Sequence, residues 1–234
     1  MDRNNGKKTR LDWEDENQNT FLLPKNMENA DLIALLEQGV LYFSGEVNEN
    51  MLEYARKGML FLTVHPPREG VLTVKISSPG GDADVGLEIH DLLMLYALET
   101  GITVKGFAIG KVCSAAAMII LQGCTIRIAS ENSKIMCHNA LTGMVITEHD
   151  LKSAGWHMRL LYDLENLKKN VVTIIMRRTK KSEQEVLKLL ARARYLPAKE
   201  ALAFGLLDGV LGFKFNDTGN PEADVNEAEQ DKIE

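Results

Sequence analysis

Strands and helices alternate along this sequence, and the alternation predicts an α/β fold with a mostly parallel sheet. Three observations carry that prediction. A β-branched run, Val71-Leu72-Thr73-Val74-Lys75-Ile76, breaks into Ser77-Ser78-Pro79-Gly80-Gly81, and a helical pattern begins near Asp84. A second strand-like run, Thr103-Val104-Lys105-Gly106-Phe107-Ala108-Ile109, leads into Gly110-Lys111-Val112-Cys113-Ser114 and then a nearly all-apolar stretch. Both corners therefore fall at carboxyl ends of predicted strands, where right-handed crossovers leave the crevice in which such folds gather ligands.

Taken in order, residues 1–28 are rich in Asn, Asp, Lys and Arg and read as a mobile polar arm. Trp13, Phe21, Leu22 and Leu23 either sit idle within it or dock on a neighbouring subunit. Domain-like patterning covers residues 29–213. It opens with a short helix over 31–38, a strand over 40–43 ending at Ser44-Gly45, and a helix over 48–62. In that helix Met51, Tyr54, Ala55, Met59 and Leu60 recur at helical spacing. The helix over 84–98 sets Val85, Ile89, Leu92, Leu93 and Tyr96 on one face, with Asp82 and Asp84 as candidate caps and Gly101 as its stop. Residues 114–121 predict a helix buried on every side, followed by short strands over 125–129 and 134–136.

The longest helical stretch covers about 147–178, with Leu151, Ala154, Met158, Leu161, Leu164, Leu167, Val171 and Ile175 near one stripe. At roughly 1.5 Å per residue it outruns a small core, so it breaks, at Gly155, or projects. A projecting apolar stripe needs a partner, which predicts a subunit interface. Residues 182–190 form another helix, with Glu183 and Glu185 in its first turn, and Pro197 opens a last one that ends at Gly205. Residues 214–234 are acidic and nearly free of large apolar side chains, and read as a disordered tail.

With 234 residues, 45% of them apolar, the chain has enough material for one sizeable core. A net charge of -6 argues against general nucleic-acid binding, which calls for a basic face. No apolar segment follows the polar first ten residues, so no targeting signal is read there. No uncharged run approaches the roughly 20 residues needed to span a bilayer. Cys113, Cys124 and Cys137 have neither disulfide nor zinc spacing. A reducing, cytoplasmic setting without metal or cofactor is the expectation.

Two residues stand out chemically. Ser114 follows a strand and opens an apolar helix, which lifts its hydroxyl out of the sheet near the positive end of a helix dipole. The plain alternative is an N-cap serine. His138 follows Lys134-Ile135-Met136-Cys137 at another strand end, and by itself it reads equally as a satisfied structural histidine. Together with the uncovered N–H groups of Gly80-Gly81, they meet the needs of nucleophilic acyl transfer: a hydroxyl, a base and donors for an oxyanion. Cys113 and Cys137 read as core, His65 as loop, and His149 and His157 as surface or interface.

The blocks Ile76-Ser77-Ser78-Pro79-Gly80-Gly81, Gly110-Lys111-Val112-Cys113-Ser114-Ala115-Ala116-Ala117 and Met136-Cys137-His138-Asn139 resemble the Clp protease proteolytic subunit (ClpP-like) family of serine peptidases. The likeness runs from Leu35 to Asp208 with the blocks in the family's order. It implies a ClpP/crotonase-like spiral of βαβ units, with the long helix as a protruding handle that interlocks two rings. Ser114 would be the nucleophile and His138 its general base. Gly81, with Gly80 beside it, and the Ala115 N–H would form the oxyanion hole. Heptameric rings, stacked as fourteen subunits around a chamber, would follow, with an AAA+ unfoldase as a possible partner. The sequence has no Walker-type motif, so ATP use would belong to that partner.

One position departs from the family pattern. Counting back from Gly205 and Asp208, the triad acid's place is taken by Ala193. Another carboxylate or a carbonyl orients His138, or the site is a slow dyad, or activity is vestigial. The expected function is thus a self-compartmentalised serine endopeptidase cutting peptides or unfolded proteins, a phage head-maturation variant included. Its alternatives are a weakly active or structural ring subunit and a crotonase-type acyl-CoA enzyme.

Overall fold

The computed structural model describes residues 29–139, 155–215 and 221–227. The arm of residues 1–28 (with Trp13, Phe21, Leu22 and Leu23), residues 147–154 of the predicted long helix (with His149, Leu151 and Ala154), and residues 216–220 and 228–234 of the predicted tail lie outside the described residues.

Five strands lie side by side in parallel: β1 (Val40–Val47), β2 (Val71–Gly81), β3 (Thr103–Cys113), β4 (Ile126–Ser130) and β7 (Gly209–Phe215). β1 crosses to β2 through α2 (Glu49–Val64), β2 to β3 through α3 (Ala83–Thr100), and β3 to β4 through the helical turns of residues 116–123. A short helix, α1 (Asn29–Glu37), precedes β1. The period-two pattern of the strands explains the layering. Leu41, Phe43, Leu72, Val74 and Ile76 are fully buried, while the residues between them are only half-buried. Phe43 meets Tyr54 of α2 edge to face with ring centroids 6.1 Å apart, and Tyr96 of α3 donates its hydroxyl to Leu62 O at 3.3 Å. Asp82 caps α3 as the sequence predicts, accepting from the N–H groups of Asp84 (2.8 Å) and Val85 (3.1 Å).

The two corners differ from expectation. Both are continuations of strands. Ser77, Gly80 and Gly81 pair with Ser44, Glu46 and Val47 of β1, so β2 runs on to Gly81. Pro79, which has no N–H to offer a ladder, sits exposed where this register slips by one residue. β3 likewise runs on to Cys113. Its ladder passes from β4 (through Ala108) to β5 (Lys134–Met136, from Lys111), and Gly110, at φ +67°, occupies the bend between the two pairings. The end of β3, still paired with β2 through Ser78 and Val112, thereby carries a branch of the same sheet, β5 with β6 (Tyr195–Pro197) antiparallel to it. This branch sets the site.

The apolar stretch after Ser114 forms a π-helical turn, Ala116–Ile120, and a 3-10 turn, Leu121–Gly123, all buried as predicted. The long helix, α4 (Trp156–Thr179), starts directly after Gly155. Its C-terminal half is anchored, with Val171, Val172 and Ile175 buried and the Arg178 guanidinium donating to Cys124 O (2.7 Å) and Thr125 O (3.1 Å). Its N-terminal half exposes Met158, Leu161 and Tyr162. Then come α5 (Glu183–Arg192), opened by a Ser182–Glu185 capping box, and α6 (Ala198–Phe204). Residues 221–227, expected within a disordered tail, form β8 (Pro221–Glu227), antiparallel to β7 at the sheet's edge. An acidic composition does not prevent an edge strand, because only the partner side must be buried or paired.

Candidate active site

Ser114 sits where β3 ends, at φ +53°. An N-cap residue adopts extended backbone, so this conformation separates Ser114 from the N-cap alternative. A non-glycine residue held in the left-handed region costs on the order of 1–3 kcal/mol and persists only where the surroundings enforce it. Here they do. The Ser114 N–H donates to Met136 O of β5 (2.9 Å), and the Ser114 carbonyl accepts from Ala117 N–H (3.0 Å) and Met118 N–H (2.8 Å). The side chain is left half-buried at the mouth of the strand ends.

The Gly80 corner lies directly against it. A Cβ placed on Gly80 (φ +94°) would overlap Ser114 Cβ and stand 2.7 Å from Cys113 O and 3.1 Å from Ser114 Oγ. No side chain fits there. The Gly80 N–H donates to Ser78 Oγ at 3.1 Å, and Ser78 is itself buried. Asp82 N–H is taken by Val47 O at 2.8 Å.

His138 arrives from the neighbouring strand. The β3–β5 register pairs Cys113 with Met136, so one step on Ser114 lies beside Cys137, with His138 next. The imidazole Nδ1–H donates to the carbonyl of Asn139 at 2.6 Å. A carbonyl only accepts, so this contact puts the proton on Nδ1 and leaves Nε2 as the free lone pair. The antiparallel β5–β6 ladder pairs Lys134 with Pro197, Ile135 with Leu196 and Met136 with Tyr195. The ladder ends there, two residues short of both His138 and Ala193. Ala193 is exposed, ends α5 at φ +45°, and offers no charge.

Around these residues the thiols are quiet. Cys113 and Cys137 are buried, as predicted. Burial pushes the Cys137 thiol up to about 12 and raises that of Cys113 as well, so both stay protonated at neutral pH. His65 closes α2 against the Phe61 ring (centroids 4.7 Å apart), and His157 lies exposed on α4 beside Trp156. Among the described residues no group of three or more His, Cys, Asp or Glu is placed to hold a metal, and no helix is long and apolar enough to cross a membrane. Sequence reading did not single out Asn139 O or Ser78. The first is a backbone atom without a residue-type signal, and the second is one hydroxyl in a Ser-Ser pair.

Comparison with known proteins gives a consistent result. The sequence profile of the family described as Clp protease matches residues 25–214. ATP-dependent Clp protease proteolytic subunit 1 of Chlamydia trachomatis serovar D is 29% identical over 186 residues, spanning 78% of this chain and 91% of that protein. The protein of the same name from Chlamydia muridarum is 30% identical over 183 residues, spanning 78% and 91%. β8 lies beyond the matched residues.

Proposed function

The chain belongs to the Clp protease family, and from that membership and the geometry around Ser114 we propose a ClpP-like serine endopeptidase that cleaves peptides or unfolded polypeptides inside a ring assembly. The observation that carries the reading is the strained Ser114 corner, packed against Gly80 and bonded through its N–H to Met136 O. In this reading Ser114 Oγ attacks the scissile carbonyl while His138 Nε2 takes its proton, and the same imidazole later returns that proton to the leaving amine. The N–H groups of Ala115 and Gly81 receive the oxyanion. Gly80 contributes by its missing side chain, since its own N–H is engaged by Ser78.

With Ala193 at the acid's place, the Asn139 carbonyl does the tautomer-fixing part of the acid's work. It supplies no negative charge to stabilise the imidazolium, so the site is a Ser-His dyad, slower than a full triad. Ring formation, stacking, and access through a partner unfoldase belong to the same proposal. A second reading, a ring subunit without turnover, is favoured by Ala193 alone.

Labelling with a fluorophosphonate separates the two. Wild-type protein is expected to be phosphonylated at Ser114 with loss of fluoride, Ser114→Ala not at all, and His138→Ala at a strongly reduced rate. A wild type that never labels in any assembly state would falsify the peptidase reading and leave the structural subunit.

A further inference from the structure

The peptide groups behind Ser114 are tied to a buried polar cluster that the dyad does not use. The Ser114 carbonyl shares one planar peptide unit with the Ala115 N–H, so fixing the oxygen fixes where that N–H points. The oxygen accepts from Met118 N–H (2.8 Å) as well as Ala117 N–H (3.0 Å). Met118 N–H in turn shares its peptide unit with the Ala117 carbonyl, and this carbonyl accepts from the side-chain amide of Gln122 at 2.9 Å. Gln122 thus closes the π-helical turn where it passes into the 3-10 turn. The residue is fully buried, and its amide oxygen accepts from Arg127 Nη1 at 2.7 Å. Arg127, also buried, is held by the Gly205 carbonyl (3.0 Å) and through Nε and Nη2 by the Asp208 carboxylate.

We infer that Gln122, braced by Arg127 and Asp208, is a positioning residue that aims the Ala115 N–H at the reacting oxygen. The inference rests on the serine-peptidase reading of Ser114. Turning the Ser114–Ala115 peptide away would break both bonds to the Ser114 oxygen, and hydrogen bonds chained through peptide units reinforce one another in a dry interior. An apolar side chain of Gln122's size would fill the same space. It would leave the Ala117 carbonyl buried without its donor and free the peptide pair to rotate.

Two variants of the full chain test this. Gln122→Met keeps length and burial but removes all three bonds: those donated to Ala117 O and, at 3.4 Å, to Leu206 O, and the one accepted from Arg127. Gln122→Glu keeps volume and the acceptor facing Arg127 but removes the donor to Ala117 and Leu206. Both are expected to lower the rate constant of phosphonylation by the fluorophosphonate roughly 10- to 100-fold at a half-saturating probe concentration within about threefold of wild type. Amide hydrogen exchange over residues 114–121 should accelerate in both. Leu62→Ala, a buried change under β1, destabilises the fold elsewhere and should move neither readout. Phosphonylation within about twofold of wild type in either Gln122 variant, or equal slowing by Leu62→Ala, overturns the inference. Should the wild type itself not label, the peptidase reading falls, and exchange over 114–121 alone decides: unchanged protection in Gln122→Met overturns the brace.

Discussion

Ser114 and Ala193 both sit in left-handed backbone, at φ +53° and +45°, and the contrast between them frames the chemistry. At Ser114 the strain exposes a hydroxyl. At Ala193 it only ends a helix, in a conformation that Asp and Asn adopt more readily than Ala does. Ala193→Asp is therefore expected to fold as wild type and to place a carboxylate where the family pattern has its triad acid. Losing that charge in a well-studied serine-protease triad costs about four orders of magnitude in turnover, which sets the ceiling for a gain. A rise of roughly 10- to 1000-fold in kcat on a fluorogenic peptide is expected, below the ceiling because Asn139 O already fixes the tautomer. KM should stay nearly constant, since the change acts on the transition state. No gain in kcat from a properly folded Ala193→Asp would mean that position 193 is not delivered to the imidazole.

At the scale of elements, the ends of β4 and β7 are joined by one ion pair. Arg127 of β4 and Asp208, just before β7, also bond through their backbones, with Arg127 N–H reaching the carboxylate at 2.8 Å and Asp208 N–H reaching Arg127 O at 2.7 Å. Partial burial pushes the Asp208 carboxyl up, but the hydrogen bonds and charge of Arg127, with Arg178 nearby, outweigh it and hold the group below its ordinary value. A carboxyl depressed in the folded state stabilises the fold above its unfolded pKa, and that stability drains away as pH falls through the folded value. Asp208→Asn should therefore lower the melting temperature at neutral pH, by an amount equivalent to roughly 1–3 kcal/mol. That figure is reduced from the buried-pair range because the Asp208 side chain is 40% exposed. The gap to wild type should narrow as pH drops below about 4. A gap that stays constant from pH 7 to pH 3 would show that the pair's charge is not what holds the two strands. The sequence makes such elements legible only in part. Alternating Leu72, Val74 and Ile76 announce β2, and the order of strands and helices announces a parallel sheet. Register is the missing quantity. Only pairing with β1 and β5 shows that the two glycine corners remain strands, and the acidic β8 has no apolar alternation to read. Ser114, His138 and Gly80-Gly81 were visible because their chemistry is written in residue types, whereas Asn139 O is a backbone atom and Gln122 acts through peptide units that any sequence possesses.

At the scale of the molecule, two apolar faces are left uncovered among the described residues. One covers the outer sides of α2 and α3, where Leu60, Val64, Leu95 and Leu98 are exposed. The other is the first half of α4, with Met158, Leu161 and Tyr162 exposed by 61%, 52% and 66%. Faces of this kind on one chain point to self-association. Two different faces also allow two kinds of contact: a head-to-tail one that closes a ring and an isologous one that joins ring to ring. α4 is about 36 Å long at 1.5 Å per residue and is anchored at its C-terminal half only, so its free half fits the isologous role. Light scattering tests this: the ring proposal, with the copy numbers that the family resemblance implies, expects seven or fourteen copies of the 26.1 kDa chain. The double substitution Leu161→Glu with Tyr162→Glu should cut the larger assembly to single rings without lowering the melting temperature, because neither side chain is in the core. A wild-type chain that remains a monomer at every concentration, or a double variant that still stacks, would remove α4 from this role and shift the search for the ring contact to the α2–α3 face.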